Sequence, residues 1–251
     1  NRASAHGQLS MDPQTAAIQV EILPRERETN RKSVLIYHTH THEAYEQDKE
    51  DPYEALEAWR TSDNDHSVVR VGEELSRRLE DCGFEVVHDI TDHEGRELST
   101  AYTRSLETLR GYDRRFDLYI DLHRDAWIEG EETAFTLTGG ASAARLMMLI
   151  GNGNGFDEKP WYVQNLAFEK ALESRINALE PGLCKPVMVK DGRYNQHIGV
   201  FSILVEVGHN RNTLQQALNA VPVLVEGIHS LLIEDPDPAL VKMQAEVLGS
   251  Q

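Results

Sequence analysis

Short β-rich runs alternate with stretches of helical period along this chain, and few architectures accommodate that order. Residues 33–37 are an apolar run flanked by charge and read as a buried strand. Over 68–79, Val71, Leu75 and Leu79 share one helical face, and Gly83 follows as a stop. Residues 84–88 read as a second strand, 99–109 as a helix capped by Ser99 or Thr100, and 116–122 as a third strand. The order β-α-β-α-β demands a sheet with helices on its faces. Further on, 133–138 and 146–150 read as strands around a Gly-Gly turn, 165–179 as an amphipathic helix, 201–207 as a buried strand and 214–232 as a long helix. The expectation is a single α/β domain of three layers over 31–235, a mixed twisted sheet with helices on both faces. A polar leader over 1–30, with one short strand at 18–23, precedes it, and a C-terminal helix or tail over 236–251 follows.

Composition narrows the function. Hydrophobic residues make up 40% and charged residues 27%, as in a folded globular protein. Forty-two Asp and Glu against 25 Lys and Arg leave a formal charge of −17, the wrong sign for a nucleic-acid backbone or an anionic membrane surface. No apolar run reaches the about 18 to 20 residues of a membrane span, so none is expected. Two cysteines, Cys82 and Cys184, without a CxxC, exclude a cysteine zinc site and a disulfide scaffold.

Three clusters stand where strands run out, the place at which open α/β sheets hold their ligands. The first is His38-Thr39-His40-Thr41-His42-Glu43. In extended backbone residues i and i+2 point the same way, so His38 and His40 are expected to converge, and imidazole is the commonest zinc ligand. The second, Asp121-Leu122-His123-Arg124-Asp125, puts Asp121 and His123 on one face and supplies a ligand from a neighbouring strand. The third is Glu206, which closes a run of buried β-branched residues; its carboxylate needs a partner, and a metal-bound water is one. His66, His88, His93 and His229 are scattered singly and read as surface or core residues.

With these residues in view, the chain resembles the catalytic domain of the stage II sporulation protein P family. The resemblance lies in Val34-Leu-Ile-Tyr-His-Thr-His-Thr41 with Glu43, Ile120-Asp-Leu-His-Arg-Asp-Ala126, Tyr194-Asn-Gln196 and Leu204-Val-Glu-Val-Gly208, in order over roughly 31–230. That family is related to the zinc-dependent N-acetylmuramoyl-L-alanine amidases, so an amidase-like fold and Zn2+ are implied. Carried across, His40 and His123 match the metal-binding histidines and Glu206 the catalytic Glu. The remaining ligand is Glu43, Asp63 or His38. His42 stands where the family usually has Thr, and adds a ligand or a neighbour to one.

The implied activity is hydrolysis of the amide between N-acetylmuramic acid and L-Ala of the stem peptide, with cleavage of stem-peptide cross-links a second implied activity. Arg124 is then expected to help stabilise the oxyanion, Asp121 and Asp125 to orient ligands, and Arg193, Asn195 and Gln196 to lie on a loop facing substrate. Peptidoglycan as substrate, an activating or scaffolding protein as partner, and an extracytoplasmic location in the periplasm or cell envelope follow from the same resemblance. Two alternatives stand beside it: a non-catalytic cell-wall binding module, and another mononuclear zinc hydrolase.

Overall fold

In the computed structural model, which describes residues 31–95, 97–158 and 161–249, strand β1 (Ser33–Tyr37) sends Val34 and Ile36 to one side and Leu35 and Tyr37 to the other. All four are buried, so this strand lies inside a sheet covered on both faces. The leader and its short strand fall outside the described residues.

Helix α1 (Val68–Asp81) begins where the Ser67 hydroxyl accepts the Val69 N–H, and it buries Val68, Val71, Leu75 and Leu79. Gly83, at φ +90°, turns the chain into β2 (Glu85–His88). Helix α2 (Ala101–Arg110) leads to β3 (Leu118–Asp125), a small hairpin of β4 (Phe135–Thr136) and β5 (Ser142–Ala143), and β6 (Leu146–Gly151). Then come α3 (Tyr162–Leu179), β7 (Met188–Lys190), β8 (Ser202–His209), α4 (Leu214–His229) and α5 (Pro238–Gly249).

The main sheet has the order β2-β1-β3-β8-β6-β7. The first four strands run parallel; β6 is antiparallel to β8, and β7 is parallel to β6. Side chains from α1, α3, α4 and α5 pack with Val34, Ile36, Ile120 and Ile203 on one face. On the opposite face, Leu109 of α2 packs with Leu35, Tyr37, Phe116 and Tyr119. The result is the expected three-layer mixed α/β sheet.

Three details differ from the sequence reading. The run at 133–138 shrinks to β4, paired only with β5 around Gly139 and Gly140, because it never joins the main sheet. The short edge strand β7 carried too few residues to register as a strand. The third concerns α4. With its continuation to Glu234 it is long and apolar enough to cross a membrane by length and composition, yet half of its apolar window is buried. Ala217, Ala220, Val221, Leu224 and Ile228 pack into the core, so it serves as a core helix. The C-terminal helix α5 also belongs to that core, through Leu240 and Val247, and Gln244 Nε2 donates to Asp117 O at 3.2 Å.

Gly72 lets α1 close over two imidazoles. A Cβ there would lie 2.5 Å from His88 Nε2 and 2.7 Å from His38 Nε2. Gly72→Ala should therefore lower stability by a net of about 1 to 2 kcal/mol, because overpacking outweighs the gain in helix propensity. Urea denaturation reads this directly, and a midpoint unchanged or raised would show that the two rings yield freely.

Candidate active site

Strands β1, β3 and β8 are neighbours and parallel, so their carboxyl ends share one edge of the sheet. Alternation along β3 puts Asp121 and His123 on the α2 side, with Tyr119. The β3–β8 register sets His123 directly beside Glu206. His123 Nδ1 is 3.3 Å from Glu43 Oε2, and its Nε2 is 2.8 Å from Asp121 Oδ1 without the alignment of a hydrogen bond.

Three carboxyl groups, of buried Asp121 and half-buried Glu43 and Glu206, thus crowd one imidazole. Burial opposes a charge on His123, but Asp121 and Glu43 hold its pKa well above the ordinary value. Burial raises Glu43 and Asp121, yet His123 keeps both below the usual carboxylate values. Glu206 goes the other way. Desolvation pushes it up, His123 opposes, and the charges of Glu43 and Asp125 add to the rise. Its Oε2 is buried with no hydrogen-bond partner among the described residues.

The first His cluster scatters to three destinations. Strand β1 ends at Tyr37, so the alternation that would bring His38 beside His40 no longer applies. His38 Nδ1 lies 2.8 Å from Leu122 O and its Nε2 2.9 Å from His88 Nε2, beneath Gly72. It is fully buried, which lowers its pKa to about 3. His40 turns to the site: its ring centroid is 5.4 Å from that of His123, and its Nδ1 donates to Glu94 Oε1 at 2.7 Å. His42 lies outside them, its Nε2 3.3 Å from Asp92 Oδ1, while its backbone N–H donates to Glu94 Oε2 at 2.7 Å.

Glu94 is the residue that the sequence reading missed. It accepts from His40, from the His42 backbone and from Arg60 Nη2 at 2.7 Å, and only 1% of its side chain is exposed. Burial would raise its pKa, but those bonds bring it down to about 2. The signal was Asp92-His93-Glu94 after β2, at the same sheet edge as the other clusters. His93 itself is structural, bonded to His38 O and Thr108 Oγ1.

Other expected residues lie elsewhere or act differently. Asp63 caps a single 3-10 turn, accepting from Asp65 N–H and His66 Nδ1, with 44% of its side chain exposed. The Arg124 guanidinium donates from Nε to Ala44 O at 3.0 Å and from Nη2 to Trp59 O at 3.1 Å, and its backbone N–H donates to Glu43 Oε2 at 3.0 Å. It clasps the loop that carries Glu43, which leaves these donors bound to protein rather than open to an oxyanion. Asp125 Oδ1 accepts the Ala126 N–H just past the register shift after which Asp125 pairs with His209 of β8.

Asn195 and Gln196, expected on a loop facing substrate, are buried and bonded to the protein, with Asn195 at the edge of a hollow. Gln196 bridges Gly151 N–H and Leu149 O at 2.8 Å each. Asn195 Nδ2 donates to Tyr102 O and to Ser105 Oγ, and Ser105 Oγ is 3.0 Å from Thr39 Oγ1. Thr39 in turn donates to both Asp121 oxygens, at 2.8 and 2.7 Å. A buried polar chain thus links the 190s loop to Asp121, beside His123.

The groups that could hold a cation are His40, Glu43 and His123. Glu94 and Asp121 back the two rings, leaving His40 Nε2 and His123 Nδ1 as donors, an arrangement typical of metal-binding histidines. Among the described residues no three such side chains stand ready as a cage, so a metal ion would have to draw them together. Glu206 Oε2, without a hydrogen-bond partner among the described residues and close to the carboxyls of Glu43 and Asp121, suits the arrival of positive charge. Two hollows flank the cluster, one of about 380 Å³ past Tyr102 and one of about 620 Å³ past His42 and Arg60.

Comparison with known proteins gives a family match. The family model described as Stage II sporulation protein P matches residues 3–229. Stage II sporulation protein P of Bacillus subtilis (strain 168) is 28% identical over 218 residues, covering 78% of this chain and 51% of that protein. The chain thus spans about half the length of that curated relative. Among solved structures, N-acetylmuramoyl-L-alanine amidase AmiC2 of Nostoc punctiforme aligns at a TM-score of 0.47 and 14% identity, covering 80% of this chain and 97% of that one. The apo N-acetylmuramyl-L-alanine amidase Ami1 of Mycobacterium abscessus aligns at 0.48 and 14%, covering 81% and 99%.

Removing Glu94 leaves the Arg60 guanidinium and the His42 N–H without their shared partner. Glu94→Ala should cost about 2 to 4 kcal/mol, whereas Asp63→Ala, at an exposed cap, should stay within about 1 kcal/mol. Urea midpoints compare the two, and equal losses would contradict the anchoring role of Glu94.

Proposed function

The chain belongs to the stage II sporulation protein P family, and from that premise we propose that it is a zinc-dependent peptidoglycan hydrolase cleaving the amide between N-acetylmuramic acid and L-Ala of the stem peptide. The observation that carries this is Glu206, whose Oε2 is buried beside His123 with no hydrogen-bond partner among the described residues. A binding module has no use for such a group. A hydrolase needs one to manage a proton.

The reading takes His40, His123 and Glu43 as the residues that hold zinc, because Asp63 is exposed at its turn and both His38 nitrogens are engaged elsewhere. When bound there, zinc lowers the pKa of water toward about 7 and polarises the scissile carbonyl. Glu94 holds the His40 ring by Nδ1, Asp121 lies against His123 Nε2, and Arg124 keeps the Glu43 loop closed. Glu206 Oε2 accepts a proton from the attacking water and returns it to the departing amine. Cleavage of cross-links by the same groups is the finer, second part of the reading. Acting on the wall, the protein works outside the cytoplasm, and an activating or scaffolding protein is a proposed partner.

The test is mass spectrometry of products from purified sacculi. The zinc-loaded protein should release free stem peptides from intact glycan strands. Glu206→Gln should lower the rate by about 100-fold or more while retaining metal, read by elemental analysis. Chelation should abolish the activity, and added zinc should restore it. Cross-link fragments alone would replace the amidase assignment with an endopeptidase, and no products under any condition would sink the hydrolase reading.

A further inference from the structure

The hollow past Tyr102 is lined by Tyr102, Leu106, Phe156, Arg193 and Tyr194, with Asp191 at its wall. Tyr102 joins it to the site, since its ring centroid lies 5.6 Å from His40 and 5.7 Å from Tyr194. Asp191 Oδ1 is taken by Asn152 Nδ2 at 2.6 Å.

At the Arg193 end, three nitrogens from two segments, the end of α2 and the 190s loop, surround one oxygen. Arg110 Nη2, Arg193 Nη1 and His197 Nε2 lie 3.3, 3.0 and 3.3 Å from Glu158 Oε2. Arg193 stacks over Phe156 with its guanidinium carbon 4.9 Å from the ring centroid, and its buried Nε has no hydrogen-bond partner among the described residues. His197 is nearly closed off, and neither of its ring nitrogens makes a hydrogen bond of good geometry. Its pKa falls to about 4, chiefly through burial, so it is a polar neutral group and the two arginines carry the charge.

Glu158 by contrast is 56% exposed. An exposed ion pair contributes little, so this carboxylate is easily displaced. A carboxylate brought into the hollow can take up the guanidinium edge more completely, and planar Arg donors distinguish it sharply from an amide.

We propose that this hollow is a subsite for an acidic peptide, in which Arg193, shared between the hollow and its ion pair with Glu158 beside it, exchanges that partner for a ligand carboxylate and sets the preference for a free carboxylate over an amide. The proposal rests on the hydrolase reading, in which the peptide beyond L-Ala leaves the scissile amide along this wall.

The probes are two synthetic N-acetylmuramoyl peptides that differ only in a free or amidated side-chain carboxyl on the residue after L-Ala. Binding is titrated on protein carrying Glu206→Gln, so that nothing is cleaved. The acidic peptide should bind about 10-fold more tightly, and Arg193→Ala should shrink that preference below about 2-fold. Glu158→Gln, at an exposed position, should tighten the acidic peptide about 2- to 5-fold and leave the amide unchanged. If Arg193→Ala does not fold, Glu158→Gln decides. Weakening of both peptides by Glu158→Gln, or a preference that survives Arg193→Ala, would overturn the subsite. Cleavage of the same peptides by the unmutated protein is read separately. Cleavage without preference overturns the subsite and leaves the hydrolase, while preference without cleavage supports the subsite and overturns the hydrolase.

Discussion

The parallel register between β3 and β8 sets His123 beside Glu206, and nearly every feature of the site follows from that pairing. Two ionisable groups on adjacent strands at the edge of a buried sheet cannot both be solvated, so each takes its protonation state from its neighbours. Asp121 and Glu43 favour the charged imidazole, while burial and the charges of Glu43 and Asp125 disfavour charge on Glu206. One structural constraint therefore pushes both groups' pKa values up, toward a charged imidazole and a neutral carboxyl, and a bound cation would bias each the other way.

That concentration of charge is expensive, and the surrounding structure is organised to hold it. Arg124 reaches over the first loop to the carbonyls of Ala44 and Trp59, and backbone pairing of residues 42–44 with 59–68 closes the same loop. Glu94 ties His40, the His42 backbone and Arg60 into one cluster. On the far side, Asn195, Ser105 and Thr39 pass hydrogen bonds inward to Asp121. Asn195 and Gln196, expected to face substrate, are bonded into the protein as supports. A fully bonded buried network is rigid, and rigid supports keep first contacts in place.

The asymmetry of the two sheet faces has a functional consequence. The face under α1, α3, α4 and α5 is closed by large aliphatic contacts, while the α2 face is covered by a shorter helix and by the 190s loop. Polar groups collect where the covering is thinner, and the hollows open there. The acidic surface does not extend evenly into this region, since Arg60, Arg110 and Arg193 all stand near the cluster or its hollows.

Periodicity along the chain was sufficient for the layers. The apolar alternation of β1, the stripe of α1 and the Gly83 stop are local facts, and local geometry enforces them. Likewise Asp121 and His123 share a face because the strand continues through both. Alternation failed at His38 and His40, because the strand had already ended at Tyr37 and no short-range rule governs the loop beyond. The direction of β6, the place of Glu94 and the work of Arg124, Asn195 and Gln196 were equally invisible. Each depends on which distant segment arrives beside it, and Glu94 is 54 residues from His40 along the chain. Sequence alone determined the elements and the chemical types at their ends. Tertiary packing decided which of those ends meet, because side-chain partners across a buried sheet are selected by register and burial rather than by distance along the chain.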